Sequence, residues 1–253
     1  MKNILLLSFL LLLVVISCNI IVVNAKETTC KSPITILRAG GGSSGGSHSS
    51  SGGSSSRHYG SRGYSSPLSN IISAIIFILI LFASTIILYF KVLRASFNSK
   101  RYLRLLDNKD STFKYKTIEK RVIETFYIVE EAWTNNDINK AKDYMDKDLY
   151  ENFKSKLEWM DINNRRNILK KIRLVNLKPV SVYDDKDDNK DLIWFYIKGK
   201  MIDYIVDTKT KSIVSGDTKN KSFVEFWKFV KNDNNEWVLS EILQEDESKK
   251  IGL

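Results

Sequence analysis

An uncharged apolar stretch constrains this chain more than any other feature of its sequence. Residues 68–90 read LSNIISAIIFILILFASTIILYF and contain no Asp, Glu, Lys or Arg over 23 positions. About 20 apolar residues suffice for a helix to cross the hydrocarbon layer of a bilayer. The stretch also lacks the polar stripe that marks a core helix of a soluble domain. Tyr89 and Phe90 lie at its C-terminal end, where aromatic side chains favour the membrane interface. The sequence therefore predicts a transmembrane helix over residues 68–90.

Positive charge lies on one side of this stretch. The only nearby cations before it are Arg57 and Arg62, whereas five follow within residues 91–104. Basic residues that flank a membrane span remain on the cytoplasmic side. The sequence therefore predicts a plasma-membrane protein whose C-terminal part is cytoplasmic. The five cations after the stretch are also the candidate contacts for lipid headgroups, and they are Lys91, Arg94, Lys100, Arg101 and Arg104.

The N-terminus resembles an export signal. Residues 1–25 combine Lys2, a long apolar run and the small-residue sequence Val23-Asn24-Ala25, which is typical of a cleavage site. Two alternatives remain open at this point. Val15-Ile16-Ser17-Cys18 resembles the lipid-attachment sequence of bacterial lipoproteins, and the apolar run could also stay uncleaved as an anchor. An export signal places the following residues outside the cell, which agrees with the orientation inferred from the cations.

Residues 26–67 are predicted to be a disordered extracytoplasmic segment. Their centre is a tract of Gly and Ser, which offers too little apolar surface to offset the entropy of an ordered chain. His48 and His58, the chain's two histidines, lie in this tract, and its two cysteines are Cys18 and Cys30. Zinc sites built on histidine and nucleophilic systems that use a Cys–His or Ser–His pair are therefore not expected in the rest of the chain.

The positive charge is concentrated next to the apolar stretch. Residues 91–121 carry a net charge of +7, whereas residues 122–253 carry a net charge of −2. Lys and Arg close to a membrane gain roughly 1 kcal/mol each from anionic lipids. Anionic lipid therefore explains the basic composition better than direct contact with nucleic acid does. Topology signalling alone, without any headgroup preference, explains the same block and stays open.

Residues 115–243 show helical and then strand periodicity. The stretch 116–134 has one apolar stripe at helical spacing, Asp137 is placed to cap a short second helix, and Asp148 followed by Glu151 resembles a capping box for a third helix. The stripe of the first helix consists of Ile118, Val122, Phe126, Val129 and Trp133, and that of the third consists of Leu149, Phe153, Leu157 and Met160.

Strand patterns occupy the rest of this region. Pro179 indicates an edge position or a bulge, and Gly199 a bend or a bulge. Helices followed by strands predict an α+β domain in which three helices cover a curved antiparallel sheet of about four strands. The predicted strands are 171–183, 192–206, a brief pairing at 213–214, and a final hairpin of 222–230 and 236–243.

Several short patterns in this region resemble the bacterial members of the Tim44-like domain family, named for the C-terminal domain of a mitochondrial inner-membrane translocase subunit. No single pattern is specific, but their order and spacing agree with the family over residues 115–243. The residues that carry the likeness are Glu131-Ala132-Trp133 with Asn136-Asp137, Leu149-Tyr150 with Phe153 and Leu157, Asp203-Tyr204 with Gly216, Glu225 with Trp227 and Phe229, and Trp237 with Leu239, Ser240 and Ile242.

The resemblance implies a cone-like fold similar to nuclear transport factor 2, with an apolar pocket between helices and sheet. It also implies docking on a membrane with a preference for anionic lipids such as cardiolipin, helped by the basic segment 91–114 and the first helix. Trp194 and Trp227 are candidate lining residues of the pocket, although a core position is the default for a tryptophan. Residues 244–253 are expected to be a tail.

Catalytic and metal chemistry find little support in the sequence. The acidic turn at 184–190 does not fit a calcium loop, because Lys190 and Tyr196 occupy the positions that need Gly and Glu. Residues 91–253 contain no histidine, and Asp203 and Glu225 are the only strand carboxylates that we consider for acid–base chemistry. We expect no cofactor and no enzymatic activity.

The expected function is a membrane-anchored binding module that holds a lipid or a protein partner at the cytoplasmic face, in protein transport or membrane-protein assembly. The alternative is a membrane tether for a ribosome or for a secretion or chaperone complex. A cell-envelope role of the exported Gly/Ser segment is a third hypothesis, and it would not need residues 115–243.

Overall fold

The computed structural model describes residues 67–185 and 191–253. These residues divide into two compact units, residues 67–90 and residues 91–253. The predicted export signal, the Gly/Ser segment up to residue 66 and residues 186–190 of the acidic turn lie outside the described residues.

The apolar stretch forms two helices where the sequence predicted one. Helix α1 spans Pro67–Leu81 and helix α2 spans Ala83–Asp107. Pro67 opens α1 at the first helical position, where the missing N–H of proline costs nothing. No single described helix is both long and apolar enough to cross a membrane, but Ile71–Ile80 and Thr85–Asp107, separated by a bend, satisfy length and composition together.

Helices and short 3₁₀ turns alternate between Asp107 and the sheet. The middle one of the three predicted helices is a 3₁₀ helix, and one further 3₁₀ turn precedes the first. In chain order these elements are the 3₁₀ turn Ser111–Phe113, helix α3 (Tyr115–Asn135), the 3₁₀ helix Ile138–Tyr144 and helix α4 (Lys147–Ile162).

Helix α3 follows its predicted apolar stripe. All five stripe residues are buried, as the spacing of one residue per turn requires. Asn136 ends the helix in the left-handed conformation at φ 57°, which asparagine tolerates better than most residues. Asp137 occupies the N-cap position of the following 3₁₀ helix, as predicted, but its side chain makes no capping hydrogen bond.

Helix α4 is capped by a different residue from the one predicted. The sequence suggested Asp148, whereas the helix begins two residues earlier and Asp146 is its N-cap. The Asp146 carboxylate accepts a hydrogen bond from the backbone N–H of Leu149 at 2.8 Å. Asp148 lies instead in the first turn, where its charge is favourable to the helix dipole.

Four antiparallel strands form one sheet in the order β1-β2-β3-β4, which confirms the predicted α+β class. The first strand begins six residues earlier than predicted, and the brief pairing at 213–214 belongs to one continuous third strand. The strands are β1 (Arg165–Tyr183), β2 (Leu192–Asp207), β3 (Ile213–Lys231) and β4 (Trp237–Gln244).

Pro179 and Gly199 have different structural roles. Pro179 lies on the edge strand β1 beside a register shift, as its missing N–H predicts. Gly199 pairs in regular register with Phe223, and the Phe223 ring occupies the space above it, only 2.2 Å from where a Cβ would lie. The close approach of this ring explains the glycine. The predicted irregularity also occurs here, because the register between β1 and β2 shifts between Leu174, which lies opposite Gly199, and Asn176.

One hydrophobic core joins helices α3 and α4 to one face of the sheet. The Phe126 ring of α3 lies 5.5 Å from Trp227 and 6.4 Å from Phe223, both on β3. Trp133 packs edge-on against Phe153 of α4 at 5.2 Å. Leu103 and Leu106 at the end of α2 belong to the same core, so the second half of α2 is part of the unit of residues 91–253.

The predicted tail is ordered. Residues Glu245–Ile251 form a 3₁₀ helix, and Gln244 and Glu247 exchange hydrogen bonds as a capping box at its start. Leu253 is buried at its end.

Candidate functional site

The candidate lipid contacts lie along α2, on the part of the helix between residues 91 and 104. Lys91, Arg94, Arg101 and Arg104 are all exposed, and no acidic residue occurs between positions 91 and 106. We call the exposed side of α2 over residues 91–105 the basic face. An acid-free run of cations on one helix creates a local positive potential that attracts anionic surfaces.

The opposite side of this helix is buried. The buried residues follow each other at spacings of four and three, so they form a single stripe. Because the buried side chains occupy one stripe, the basic face is the side of α2 that points away from this stripe. The stripe consists of Val92, Ser96, Ser99, Leu103 and Leu106.

Two large apolar side chains are exposed among the cations. Phe97 is 71% exposed and Leu105 is 56% exposed, and neither was predicted from the sequence as a site residue. Their spacing from Arg94 and Arg101 by three or four residues is the signal that places them on the same face. Exposed aromatic and aliphatic side chains among Lys and Arg are typical of helices that lie in a membrane interface.

Lys100 differs from the other four cations. It is only half-exposed, and its Nζ lies 5.0 Å from the ring centre of Tyr115 at the start of α3. The Tyr115 hydroxyl donates a hydrogen bond to Glu119 at 2.7 Å. Burial together with this carboxylate raises the pKa of Tyr115. Lys100 therefore also contributes to the contact between α2 and α3.

The two candidate pocket residues lie on opposite faces of the sheet. Trp227 is fully buried on the face that packs against α3, and its indole Nε1 donates to Glu225 at 2.9 Å. Trp194 is buried on the other face, with the Lys228 Nζ 5.9 Å from its ring centre. Because successive strand residues point to opposite faces, the structure does not bring the two tryptophans together.

The carboxylates considered for acid–base chemistry have structural contacts. The Asp203 carboxylate accepts a hydrogen bond from Asn167 at 2.7 Å, and Asn167 in turn accepts one from the Trp133 indole at 2.8 Å. Glu225 is fully buried and accepts from Trp227. Three residues of the family resemblance, Trp133, Asp203 and Glu225, are thus engaged in buried or partly buried polar contacts within the domain.

Among the residues that the structure describes, no three His, Cys, Asp or Glu side chains come together as a metal site. The acidic turn is only partly within this range, since residues 186–190 are not described.

Comparisons with known proteins give a family and distant structural similarities. The family description "Tim44-like domain" matches residues 99–244. No curated protein matches the chain. The crystal structure of the intermembrane space region of the chloroplast protein ARC6 aligns with 12% identity, 51% of this chain and 94% of that chain, at a TM-score of 0.38. At this level of similarity the alignment carries no inference about function.

Proposed function

We propose a function for this chain, which belongs to the family of Tim44-like domains and is thus a membrane-associated binding or translocation module. It is a non-enzymatic module that is anchored in the membrane. Its basic face binds anionic lipids such as cardiolipin. Residues 115–243 would hold a lipid or a protein partner at the cytoplasmic surface, in protein transport or membrane-protein assembly. The observation that carries the proposal is the exposure of four cations and two large apolar side chains on one side of α2.

The magnitude of the expected attraction is adequate for a second membrane contact. At roughly 1 kcal/mol per exposed Lys or Arg, four cations contribute about 4 kcal/mol on an anionic bilayer. This corresponds to roughly a thousandfold in partitioning. Insertion of the Phe97 and Leu105 side chains into the interface would add to it. The apolar stretch 68–90 would hold the chain in the membrane, and the basic face would hold the domain against its surface.

The exposed apolar side chains favour lipid over a nucleic-acid surface. A ribosome tether would also use the cations, since phosphates attract them equally. Phe97 and Leu105 gain free energy only where apolar surface leaves water. A tether for a ribosome or for a secretion or chaperone complex is therefore the alternative, and it predicts salt-sensitive association of the full-length protein with ribosomes.

The partner-holding part of the proposal rests on the domain's interior. Trp227 is buried against Phe126 of α3 and is the candidate ligand contact on that face of the sheet, whereas Trp194 would contact a ligand only from the opposite face. The structural contacts of Asp203 and Glu225 support a binding role rather than catalysis.

Vesicle co-sedimentation of residues 91–253 tests the lipid contact. Changing Arg94, Arg101 and Arg104 together to Gln should weaken binding to cardiolipin-containing vesicles at least tenfold, because about 3 kcal/mol of attraction is removed. The matched control changes Lys200, Lys209 and Lys211 to Gln, which are three exposed cations on β2 and in the turn that follows it. Equal binding of the unaltered fragment to zwitterionic and cardiolipin vesicles would remove the lipid part of the proposal.

A further inference from the structure

A buried lysine lies where α2, the sheet and the 3₁₀ turn after α2 meet. The Lys231 side chain is 2% exposed, at the C-terminal end of β3. Its Nζ lies 2.8 Å from a carboxylate oxygen of Asp191, which is fully buried just before β2. It also lies 3.1 Å from a carboxylate oxygen of Asp110, in the connection between α2 and α3.

Asp110 is the charged residue through which this connection reaches the sheet. Its carboxylate caps the 3₁₀ turn by accepting from the Thr112 backbone N–H at 2.8 Å, and it is 37% exposed. One carboxylate therefore orders the connection locally and also binds a lysine 121 residues away.

Two further contacts hold the same connection. The Trp237 indole at the start of β4 donates to the Thr112 carbonyl at 3.0 Å. The Phe113 ring packs edge-on against Trp237 at 5.5 Å and lies 4.5 Å from the Lys231 Nζ. The cation thus sits between two carboxylates and two aromatic rings, where it is largely removed from water.

The charges of this cluster favour the ionised state. Burial lowers the pKa of Lys231, but the ion pair with Asp191 and the hydrogen bond to Asp110 outweigh burial, so that the pKa is raised overall. A buried cation with two close carboxylates is costly to break, because separation leaves uncompensated buried charge. The contact is also directional, unlike the apolar packing of Leu103 and Leu106 that it accompanies.

We propose that Lys231 is a positioning residue that fixes the connection at Asp110, and thereby sets the orientation of the basic face relative to the sheet. This inference rests on the proposed function, in which the basic face contacts the membrane. If Lys231 fixes this orientation, contact of α2 with anionic lipid determines which side of the sheet faces a partner.

The test uses the full-length protein in nanodiscs with anionic lipid. Asp110→Ser keeps a residue that caps well but removes the carboxylate that reaches Lys231. Amide hydrogen exchange at residues 109–114 should accelerate at least fivefold. The distance distribution between spin labels on N98C and N234C, in a chain that also carries C18S and C30S, should broaden, while the thermal midpoint changes by only a few degrees.

Glu241→Ser is the matched control, since it removes an exposed carboxylate of β4 that pairs with Lys228 of β3 at 3.7 Å. It should leave both readouts within twofold of the unaltered protein. Lys231→Met should change the exchange rate and the distance distribution more than Asp110→Ser does. If Lys231→Met does not fold, the result for Asp110→Ser decides the test. Unchanged exchange and an unchanged distance distribution in Asp110→Ser, or equal effects of Asp110→Ser and Glu241→Ser, would overturn the proposal.

The outcome is independent of whether the basic face binds lipid. Exchange and distance are also measured in neutral nanodiscs, where the contact between Lys231 and Asp110 should give the same values. Vesicle binding of the Asp110→Ser and Glu241→Ser fragments should stay within twofold of each other. A failure of lipid binding therefore removes the proposed function, whereas a failure of the exchange and distance predictions removes the positioning role.

Discussion

Single residues decide how closely the strands of this sheet approach each other. Gly216 on β3 adopts φ +88°, and a Cβ at this position would lie 2.5 Å from the Asp203 carbonyl oxygen and 2.5 Å from the Tyr204 Cα. Neither contact can be relieved by a side-chain movement, because both atoms belong to the backbone of β2. Gly252, at φ +79°, has the same kind of backbone conformation but open space around it.

Gly216→Ala should therefore destabilise the domain by about 2–4 kcal/mol, through the left-handed backbone and the clash together. Gly252→Ala should cost only about 1 kcal/mol, since it carries the backbone penalty alone. Urea unfolding of residues 91–253 measures both. Equal costs would show that the sheet relaxes around the added methyl group.

A second residue-scale prediction concerns the Trp133 indole. Trp133→Phe keeps an aromatic ring against Phe153 but removes the donor to Asn167, which leaves the buried Asn167 carbonyl oxygen without this hydrogen bond. The expected loss of stability is about 1–3 kcal/mol. Trp159→Phe on the exposed side of α4 is the control, and its stability should stay within about 0.5 kcal/mol of the unaltered domain.

At the scale of elements, caps and connections fix where helices begin. Asp146, rather than the predicted Asp148, supplies the oxygen that satisfies the first turn of α4. Both residues are acidic and lie two positions apart, so sequence pattern alone does not separate them. The geometry does, because only the true N-cap residue has an extended backbone that aims its side chain at the free N–H groups.

Asp146→Ala should cost about 1 kcal/mol of stability, whereas Asp148→Ala should cost less, because it loses only a dipole interaction. Chemical unfolding of the two variants at pH 7 compares them directly. A larger loss for Asp148→Ala would contradict the assignment of the cap.

The connection at Asp110 should show a pH dependence of defined sign. Burial raises the pKa of the Asp110 carboxyl, but hydrogen bonds from Thr112 and Lys231 outweigh burial and hold the pKa below its ordinary value of 3.8. A carboxyl whose pKa is lowered in the folded state stabilises the fold above pH 3.8. This contribution is lost as the pH falls through the folded-state pKa.

The difference in unfolding free energy between the unaltered fragment and Asp110→Ser should therefore be largest near pH 7 and shrink below pH 3.8. Urea titrations at several values between pH 7 and pH 3 measure it. A difference that grows on acidification would exclude the ionised carboxylate as its source.

For the whole molecule, the proposal depends on which side of the membrane carries residues 91–253. By the positive-inside rule, the cations after the apolar stretch predict that this part is cytoplasmic. In that orientation the basic face would meet the inner leaflet, which carries the anionic lipids that attract juxtamembrane Lys and Arg.

In intact cells, an externally added protease should leave residues 91–253 undigested, and permeabilisation should expose them. A C-terminal reporter that is active only in the cytoplasm should be active. Digestion in intact cells would reverse the inferred orientation and remove both the lipid proposal and the ribosome alternative.

The sequence alone determined the features that depend on neighbouring residues. Charge next to an apolar stretch, one apolar stripe per helix and alternation in the strands predicted the α+β class, the order of the elements and the basic segment after the apolar stretch. These signals are local, because the periods of helix and strand repeat within a few residues. Helical spacing also places Phe97 and Leu105 on the basic face, but only after the structure has shown which stripe of α2 is buried.

Only the tertiary structure decided which polar groups are buried together. Lys231 follows Glu225, Trp227 and Phe229 at alternate positions, but the predicted strand ended at residue 230 and indicated no partner for this lysine. Its partner Asp110 is 121 residues away, and the Trp237–Thr112 bond spans 125 residues. Contacts at such separations depend on how the helices and the sheet pack in space, and no periodicity within one element encodes them.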